Sequence, residues 1–477
     1  MSNASIGVVP YQGYYELLMP RSKYPKCFCT EEEIAIAEGI REFVQKEMMP
    51  RRHDFEGGYH KDPDLAKRTC YAMYKELWKM GLCRSVVPEK YGGLGLSPIV
   101  RGMINEELSR ADIGVATMIG KLHWVVSFLV AAGRDDLLEE FRSVWSGDDP
   151  YFFCVFLTEP QGGANIEDPA FGARYVRTTA KLDGDEWVIN GHKLWPGPSG
   201  PAEGFVTEFS KGHMGYFTLA KDEPHGGLDT VGIYLIPADT PGLEFSALFE
   251  KSGQYMAEEN REIWLNDVRI PKRYRIDTKP GEGGRLLMAQ GIPLARMASC
   301  HRLCGVASAC LEIALDWTAE REIAGKPVRE HSLFASIIGD CFRRLEAARA
   351  LCLSIGWQAM HADEYGPLYS HEFAAKCSAA RYNAGRAAEY IIARSMELLG
   401  SYGYIYDYQL EKYRRDYQIA TMWLGGAQRD LLDISQGLYG LYKWPGQEEW
   451  EKSGMKNVLE GWVGPTPEEV RERRRVD

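Results

Sequence analysis

The spacing of hydrophobic and polar residues divides the chain into a helical, a strand-rich and a second helical part. Between residues 31 and 150, apolar side chains such as Ile34, Ile40 and Val44 recur at helical spacing. Thr30 is followed by three glutamates, which predicts a capped helix start, because acidic side chains favour the positive end of a helix. This first part is therefore predicted to be helical.

A strand-rich pattern replaces the helical one from about residue 151 to residue 276. Short runs rich in β-branched and aromatic residues predict strands, and Asp-Gly, Asn-Gly and Gly-Gly turns separate them. The sequence Asp183-Gly184-Asp185 predicts a hairpin between the first two strands. The predicted strands are residues 174–182, 186–190, 231–236 and 262–270.

Long helical stripes return from about residue 285 to residue 440. One stripe contains Leu303, Val306 and Cys310, and the alanine-rich segment 374–399 predicts another long helix. The order of helices, strands and helices predicts an α+β fold that is mainly α. We expect an N-terminal extension (1–30), an N-terminal helical domain (31–150), a middle β domain (151–280), a C-terminal helical domain (281–440) and a C-terminal tail (441–477).

Composition and charge argue against several classes of protein. The 477 residues are 45% hydrophobic and 26% charged, which is typical of a soluble globular protein. A net charge of −11 argues against nucleic-acid binding, and no apolar stretch approaches the ~20 residues of a membrane span. The eleven cysteines are scattered and predict no metal site, so we expect free thiols and a cytoplasmic location.

The common nucleotide-binding and catalytic motifs are absent from the sequence. No Gly-x-Gly-x-x-Gly follows a strand and opens a helix, and there is no Walker loop, His-Glu-x-x-His or Gly-x-Ser-x-Gly. A Rossmann nucleotide site is therefore not supported.

Seven stretches of the sequence form recognisable motifs: Pro88–Ser97, Phe156–Asn165, Ile189–Trp195, Asn266–Pro271, Arg321–Pro327, Leu399–Tyr404 and Arg415–Gln428. Together these motifs resemble those of the acyl-CoA dehydrogenase family. They occur in the family's order and at about its spacing across residues 30 to 440. The resemblance implies a flavoprotein that binds FAD and an acyl-CoA thioester, with an N-terminal helical domain, a middle β-barrel or β-sandwich domain and a C-terminal four-helix bundle.

The same resemblance assigns residues to the FAD site. Thr158 and Leu157 are expected at the pyrimidine edge of the flavin ring, and Trp195 beside the ring, where an aromatic side chain offers a flat apolar surface. Arg321 is expected to reach the FAD pyrophosphate, often across a subunit interface, because a guanidinium donates two parallel hydrogen bonds. Gln428 is expected at the adenosine half. The other residues assigned to FAD are Phe156, Ala164, Gly197, Ser199, Glu397, Gly400 and Gly426.

The residues that carry the family's chemistry differ in this chain. In the family, a glutamate removes the α-proton while a hydride leaves the β-carbon for the flavin. The two positions at which the family places this glutamate correspond to Leu424 and Ala295, and neither provides a carboxylate. The serine that contacts flavin and substrate is replaced by Ala164. The threonine near the flavin is replaced by Gly197, and Ser199 is an alternative donor.

Three hypotheses for the reaction follow from the missing glutamate. In the first, the protein desaturates an acyl-CoA with a base from another position, and Glu167 and Asp168 are the nearest acidic residues in sequence. In the second, a β-sulfinate or an acidic carboxylate leaves and deposits its electron pair, so that no base is needed. In the third, the chain is a flavin-binding, non-catalytic subunit of a hetero-oligomer. The expected substrate contacts are Arg296, Ala164, Leu424 and Gly425.

The resemblance also implies partners. We expect an acyl-CoA thioester as substrate, an electron-transfer flavoprotein as acceptor if oxidation occurs, and a homo-oligomer, either a dimer or a tetramer. A carboxylated acyl group would require a cation inside the site. Arg101 and Lys121 are the candidates, although the simpler interpretation of each is a solvated surface charge. Residues 201–230 are interpreted as a family-atypical insertion near the flavin loop.

Overall fold

A computed structural model describes residues 15–148, 150–160, 162–163, 176–197, 214–221, 230–253, 259–279, 282–287, 291–366, 368 and 370–440. The helices are α1 (Pro20–Lys23), α2 (Glu31–Phe43), α3 (Pro63–Lys79), α4 (Pro98–Ser109), α5 (Ile113–Ala131), α6 (Asp135–Glu140), α7 (Arg142–Ser146), α8 (Glu282–Leu286), α9 (Ile292–Glu320), α10 (Ser332–Met360), α11 (Ala362–Tyr365), α12 (His371–Leu399), α13 (Leu410–Met422) and α14 (Gly426–Tyr439). The strands are β1 (Phe152–Phe156), β2 (Thr179–Asp183), β3 (Glu186–Leu194), β4 (Met214–Lys221), β5 (Val231–Pro237), β6 (Leu243–Phe245), β7 (Glu262–Pro271), β8 (Glu322–Ile323) and β9 (Lys326–Pro327).

The N-terminal helical part contains the capped helix that the sequence predicts. The Thr30 side chain accepts a hydrogen bond from the backbone N–H of Glu33 (3.2 Å), and the Glu33 carboxylate accepts one from the N–H of Thr30 (3.0 Å). Ile34, Ile40 and Val44 are buried, so the apolar stripe of α2 faces the core. Helices α4 and α5 follow, and both pack against α9.

The described part of the predicted N-terminal extension packs onto these helices. Leu18 is buried, and the Tyr15 hydroxyl donates a hydrogen bond to Asp316 on α9 (2.6 Å). The Lys23 ammonium lies 3.2 Å from the Glu106 carboxylate on α4, and both side chains are fully buried. Because a buried ammonium requires such a partner, these contacts tie the extension to the helical core.

A mixed sheet contains seven of the described strands, in the order β1-β4-β2-β3-β7-β6, with β5 paired to β4. β1 and β2 run parallel to β4, whereas the other pairs are antiparallel. The predicted hairpin between β2 and β3 is confirmed, and its Gly184 has a φ of +63°, which glycine adopts without strain. Long helices with one such sheet confirm the α+β, mainly α, fold class.

Strand β4 lies inside the segment that the sequence analysis interprets as an insertion. Met214–Lys221 pairs with β1 and β2 in parallel and with β5 in antiparallel register. The stretch therefore contributes a strand to the sheet. Glycines flank and interrupt this strand, and they weaken the strand pattern because glycine has a low strand propensity. The rest of residues 201–230, apart from Thr230, lies outside the described residues.

Four helices of the C-terminal part form a bundle. α12 packs against α9, α10 and α14, and α9 also packs against α10. The predicted stripe on α9, which includes Leu303, Val306 and Cys310, is buried, as are Ala384 and Ala388 on α12. Small side chains on α12 let its neighbours approach closely, so one helix can contact three others. The predicted four-helix bundle is confirmed.

Two of the described helices have the length and hydropathy of a membrane span, which corrects the expectation that no apolar stretch approaches that length. They are α5 (Ile113–Ala131) and α9 (Ile292–Glu320), and 72% and 89% of their most apolar windows are buried inside the protein. Core packing therefore accounts for their apolar surfaces.

Helices change to strands between Ser146 and Phe152, and strands give way to helices between Pro271 and Glu282. We retain 31–150, 151–280 and 281–440 as the proposed domains on this basis. The tail, 441–477, lies outside the described residues.

Candidate functional site

A cavity of about 700 Å³ lies where the sheet meets α4, α5 and the beginning of α9. The ends of β1 and β3 form one wall, the three helices form another, and the turn between α13 and α14 closes the space between them. The cavity brings together residues that lie far apart in sequence. The predicted site residues that line it are Leu157, Thr158, Trp195, Ala295, Leu424 and Gly425.

The loop that follows β1 carries the predicted flavin-edge residues Leu157 and Thr158. The backbone N–H of Leu194, at the end of β3, donates a hydrogen bond to the carbonyl of Thr158 (2.8 Å) and fixes the loop to the sheet. A Cβ at Gly163 would lie 2.7 Å from the Thr158 hydroxyl, so glycine is required where the loop folds back against Thr158. Thr158 is therefore held with its hydroxyl at the cavity wall.

A buried ion pair beneath this loop was not singled out from the sequence. The Lys193 ammonium donates to the Glu159 carboxylate (2.7 Å), which also accepts hydrogen bonds from the N–H of Arg177 (2.6 Å) and from the hydroxyl of Thr178 (2.7 Å). Burial lowers the pKa of Lys193, and Glu159 opposes that effect. The signal was present in the sequence, since Glu159 and Lys193 lie inside two of the stretches that match the family.

Trp195 begins the turn that follows β3. It has a φ of +62°, which is uncommon for a bulky residue, and its ring packs against Phe249 with centroids 4.5 Å apart. Asn260 holds the turn by donating from its side-chain amide to the carbonyls of Trp195 (2.9 Å) and Pro196 (3.1 Å). The ring contact and the two hydrogen bonds thus stabilise a left-handed backbone conformation that is unfavourable for a tryptophan.

Leu424 lies in the sharp turn between α13 and α14. Its φ and ψ are 54° and 37°, and Gly425 and Gly426 also have positive φ values of 89° and 72°. Arg296 on α9 donates a hydrogen bond to the Leu424 carbonyl (3.1 Å). The left-handed conformation of a leucine costs about 1–2 kcal/mol, which the packing of its side chain against the core offsets.

Arg296 is buried within a network of carboxylates. Its guanidinium lies 2.6 Å from Asp433 and 3.4 Å from Asp430, both on α14. The described contacts of Arg296 join α9 to α14 and to the Leu424 turn. Arg296 is not among the described residues that line the cavity. Its predicted contact with substrate stays a prediction.

Cationic side chains and imidazoles line the cavity, and no aspartate or glutamate does so among the described residues. Burial lowers the pKa of His123 to about 3 and that of His301 to about 4, so both imidazoles are neutral near pH 7. The sequence analysis named Arg101 and Lys121 as candidate cations, and it did not single out the other four groups. The groups are Arg101, Lys121, Lys251, Arg302, His123 and His301.

The other residues assigned to FAD lie away from the cavity wall of the single chain or outside its described part. Arg321, Glu397, Gly400 and Gln428 are exposed, and Gly426 is half-buried. Phe156 and Gly197 are buried behind the wall. Ala164 and Ser199, like Glu167 and Asp168, lie outside the described residues.

Comparison with known proteins identifies the family. A model of the acyl-CoA dehydrogenase N-terminal domain matches residues 30–142, and one of the C-terminal domain matches residues 281–439, so that together they span more than half of the chain. The chain belongs to the acyl-CoA dehydrogenase family. It is 27% identical over 403 residues to cyclohexane-1-carbonyl-CoA dehydrogenase of Syntrophus aciditrophicus. The aligned region covers 84% of this chain and 94% of that protein.

Solved structures share the fold. Butyryl-CoA dehydrogenase from Megasphaera elsdenii matches with a TM-score of 0.73 and 21% identity, covering 86% of this chain and 99% of that one. A glutaryl-CoA dehydrogenase from Mycobacterium smegmatis in complex with FADH2 matches with a TM-score of 0.72 and 21% identity, covering 89% of this chain and 99% of that one. The predictions of a flavoprotein, of FAD as the cofactor and of an oxidoreductase of CH–CH donors are confirmed through the family.

The cavity of this family member fits a flavin ring. The Thr158 hydroxyl and nearby backbone offer polar groups for one ring edge, while Trp195, Leu157 and Leu424 offer apolar surface. Because Gly163 has no side chain, nothing at that position pushes the Thr158 hydroxyl away from its place at the wall. These residues would hold the ring, and FAD would supply the acceptor for a hydride from the substrate.

Proposed function

We propose that the protein desaturates an acyl-CoA thioester between its α- and β-carbons, using FAD and a base outside the family's two usual positions. The observation that supports this proposal is the single cavity shared by Thr158, Trp195, Ala295 and Leu424. Leu424 and Ala295 leave room for an acyl group at the flavin-edge residues but accept no proton. The base must therefore come from another part of the wall.

The described lining offers two neutral proton acceptors. His123 and His301 are unprotonated near pH 7, but pKa values of about 3 and 4 make each a weak base. Glu167 and Asp168, the nearest acidic residues in sequence to the flavin motif, are therefore the proposed bases.

The test of desaturation combines flavin bleaching with proton exchange. Under anaerobic conditions, a saturated acyl-CoA is expected to bleach the bound flavin and yield an enoyl-CoA. Glu167→Gln or Asp168→Asn is expected to slow bleaching by about 10²- to 10⁴-fold, the usual effect of losing a general base. α-Deuterium exchange in D₂O should fall in parallel. No bleaching with a panel of straight, branched and cyclic acyl-CoAs would contradict the proposal.

A base-free elimination is the second candidate, and the lack of a carboxylate among the described lining residues favours it. A substrate carboxylate would leave as CO₂, or a β-sulfinate as SO₂, and the electron pair of the broken bond would remain on carbon until that carbon takes a proton. No net oxidation occurs. Stoichiometric release of CO₂ or sulfite without flavin reduction would favour this reaction over desaturation.

The proposed partners follow from the same reaction. If the substrate is oxidised, an electron-transfer flavoprotein is the proposed acceptor, and a homo-oligomeric dimer or tetramer is the proposed assembly. Exposed Arg321 and Gln428 fit a role at a neighbouring subunit's FAD. Light scattering on the purified protein measures the assembly, and purification only with a homologous chain would favour a hetero-oligomer.

A further inference from the structure

Faces of three helices contribute cationic and polar side chains to the cavity wall. On α4 the lining residues include Arg101 and Asn105, on α5 Lys121, and on α9 Arg302. Arg302 lies seven residues beyond Ala295 on α9, which places it about 10 Å further along the helix axis. The cavity therefore extends from the reacting end near Ala295 to a distal polar group of side chains, which we call the distal cation cluster (Arg101, Asn105, Lys121 and Arg302).

Glycines make room for the buried head groups of this region. A Cβ at Gly120 would lie 2.3 Å from an Nη atom of Arg302, and a Cβ at Gly102 would lie 2.4 Å from Nε2 of His301. Arg302 is 7% exposed and donates from Nε to the Asn105 side-chain oxygen (2.6 Å). The guanidinium is thus held between the helices in one place, as a binding group requires.

Arg101 provides a second guanidinium at the wall. Its Nε is buried and has no hydrogen-bond partner among the described residues, and burial alone lowers its pKa to about 10. Arg101 is half-buried at the cavity wall, so its guanidinium is only partly open to solvent. A partly buried cation is stabilised by an anion placed opposite it, and no aspartate or glutamate lines the described cavity.

We infer that the distal cation cluster binds a carboxylate at the far end of the acyl group, so that the substrate is an ω-carboxylated acyl-CoA. This inference rests on the proposed function, because it assumes that the cavity takes an acyl-CoA. Two guanidinium groups suit a planar two-oxygen anion, since each donates in a fork. The separation along α9 corresponds to an acyl chain of medium length, about five to eight carbons.

The test compares ligands that differ only at the far end. The dissociation constants of adipoyl-CoA, hexanoyl-CoA and 6-aminohexanoyl-CoA are measured on the FAD-loaded protein from the shift in flavin absorbance. Adipoyl-CoA is expected to bind at least about 10-fold more tightly than hexanoyl-CoA, and 6-aminohexanoyl-CoA more weakly than both. Equal constants for the three ligands would overturn the inference.

Arg101→Gln is expected to weaken adipoyl-CoA binding by about 10- to 100-fold and to leave hexanoyl-CoA binding unchanged. Arg101→Glu should reverse the order of adipoyl-CoA and 6-aminohexanoyl-CoA. Arg343→Gln, which removes an exposed guanidinium from α10, is the matched control and should change neither constant. If Arg101→Gln weakens both ligands equally, the residue supports the wall and binds no carboxylate.

Three further outcomes complete the test. The first distinguishes a carboxylate site from a phosphate site, and the other two separate binding at the distal cation cluster from desaturation. Inorganic pyrophosphate that displaces adipoyl-CoA but not hexanoyl-CoA would make the cluster a phosphate site and overturn the inference. A preference for adipoyl-CoA without flavin bleaching would support the inference while the proposed desaturation fails. Bleaching by hexanoyl-CoA without any preference for adipoyl-CoA would support the proposed desaturation and overturn the inference of a carboxylate site.

Discussion

Replacing Leu424 with glutamate is expected to raise the rate of flavin reduction by hexanoyl-CoA by about 10²- to 10⁴-fold, the usual effect of a positioned general base. Leu424 lines the cavity together with Thr158 and Trp195, so a carboxylate at this position would face the bound acyl group. Hexanoyl-CoA carries no leaving group, so flavin reduction reports desaturation alone. Stopped-flow absorbance under anaerobic conditions measures the rate.

The backbone of the turn favours this experiment. Leu424 already has a φ of 54°, and a glutamate would meet the same left-handed strain as the leucine that it replaces. Arg296 binds the carbonyl of residue 424, so its hydrogen bond does not depend on the side chain at that position. The turn is therefore expected to keep its conformation.

Leu424→Gln is the matched control, since it has the size of glutamate without the charge, and its rate should stay at the wild-type value. Ala295→Glu tests the family's second position, on α9. If Leu424→Glu binds FAD and hexanoyl-CoA normally but reduces the flavin no faster, residue 424 does not face the α-carbon. Such a result would refute our assignment of the reacting end.

Periodicity was sufficient to predict that a helical, a strand-rich and a second helical part follow one another along the chain. The apolar stripes of α2 and α9 are buried as expected, because a helix packs its apolar face against the protein core. β1, β4 and β6 were not predicted. The glycine-rich surroundings of β4 resemble a loop, and its pairing with β1 and β5 depends on partners distant in sequence. Local pattern therefore predicts the elements better than it predicts the sheet.

The candidate site was predicted in part, for a related reason. Motifs singled out Thr158, Trp195 and Leu424, and the three residues line one cavity, while their roles stay predictions. The surroundings of Arg101 and Arg296 were not readable, because each depends on helices packed around it from other parts of the chain. An arginine on a helix looks solvated in sequence, whereas three-dimensional packing decides whether water, a carboxylate or a cavity faces it.

The second large effect is expected at the ion pair beneath the flavin-edge loop. Glu159→Gln is expected to destabilise the protein by about 3–5 kcal/mol, since it removes the carboxylate that is paired with the buried Lys193 ammonium. Neither side chain is more than 2% exposed. Because Glu159 follows Thr158 directly, the variant is also expected to release FAD at a lower temperature. Thermal unfolding followed by flavin fluorescence measures both effects.

A double-mutant cycle separates the charge from the packing. Glu159→Gln with Lys193→Met is expected to recover much of the stability lost in Glu159→Gln, because the ammonium that the Glu159 carboxylate compensated is then absent as well. The exposed pair of Arg269 and Asp183 provides the control, and Asp183→Asn should leave unfolding and flavin release unchanged. If the double variant is as unstable as Glu159→Gln, the loss arises from the hydrogen bonds to Arg177 and Thr178. The loop at Thr158 would then depend on those hydrogen bonds and not on the ion pair.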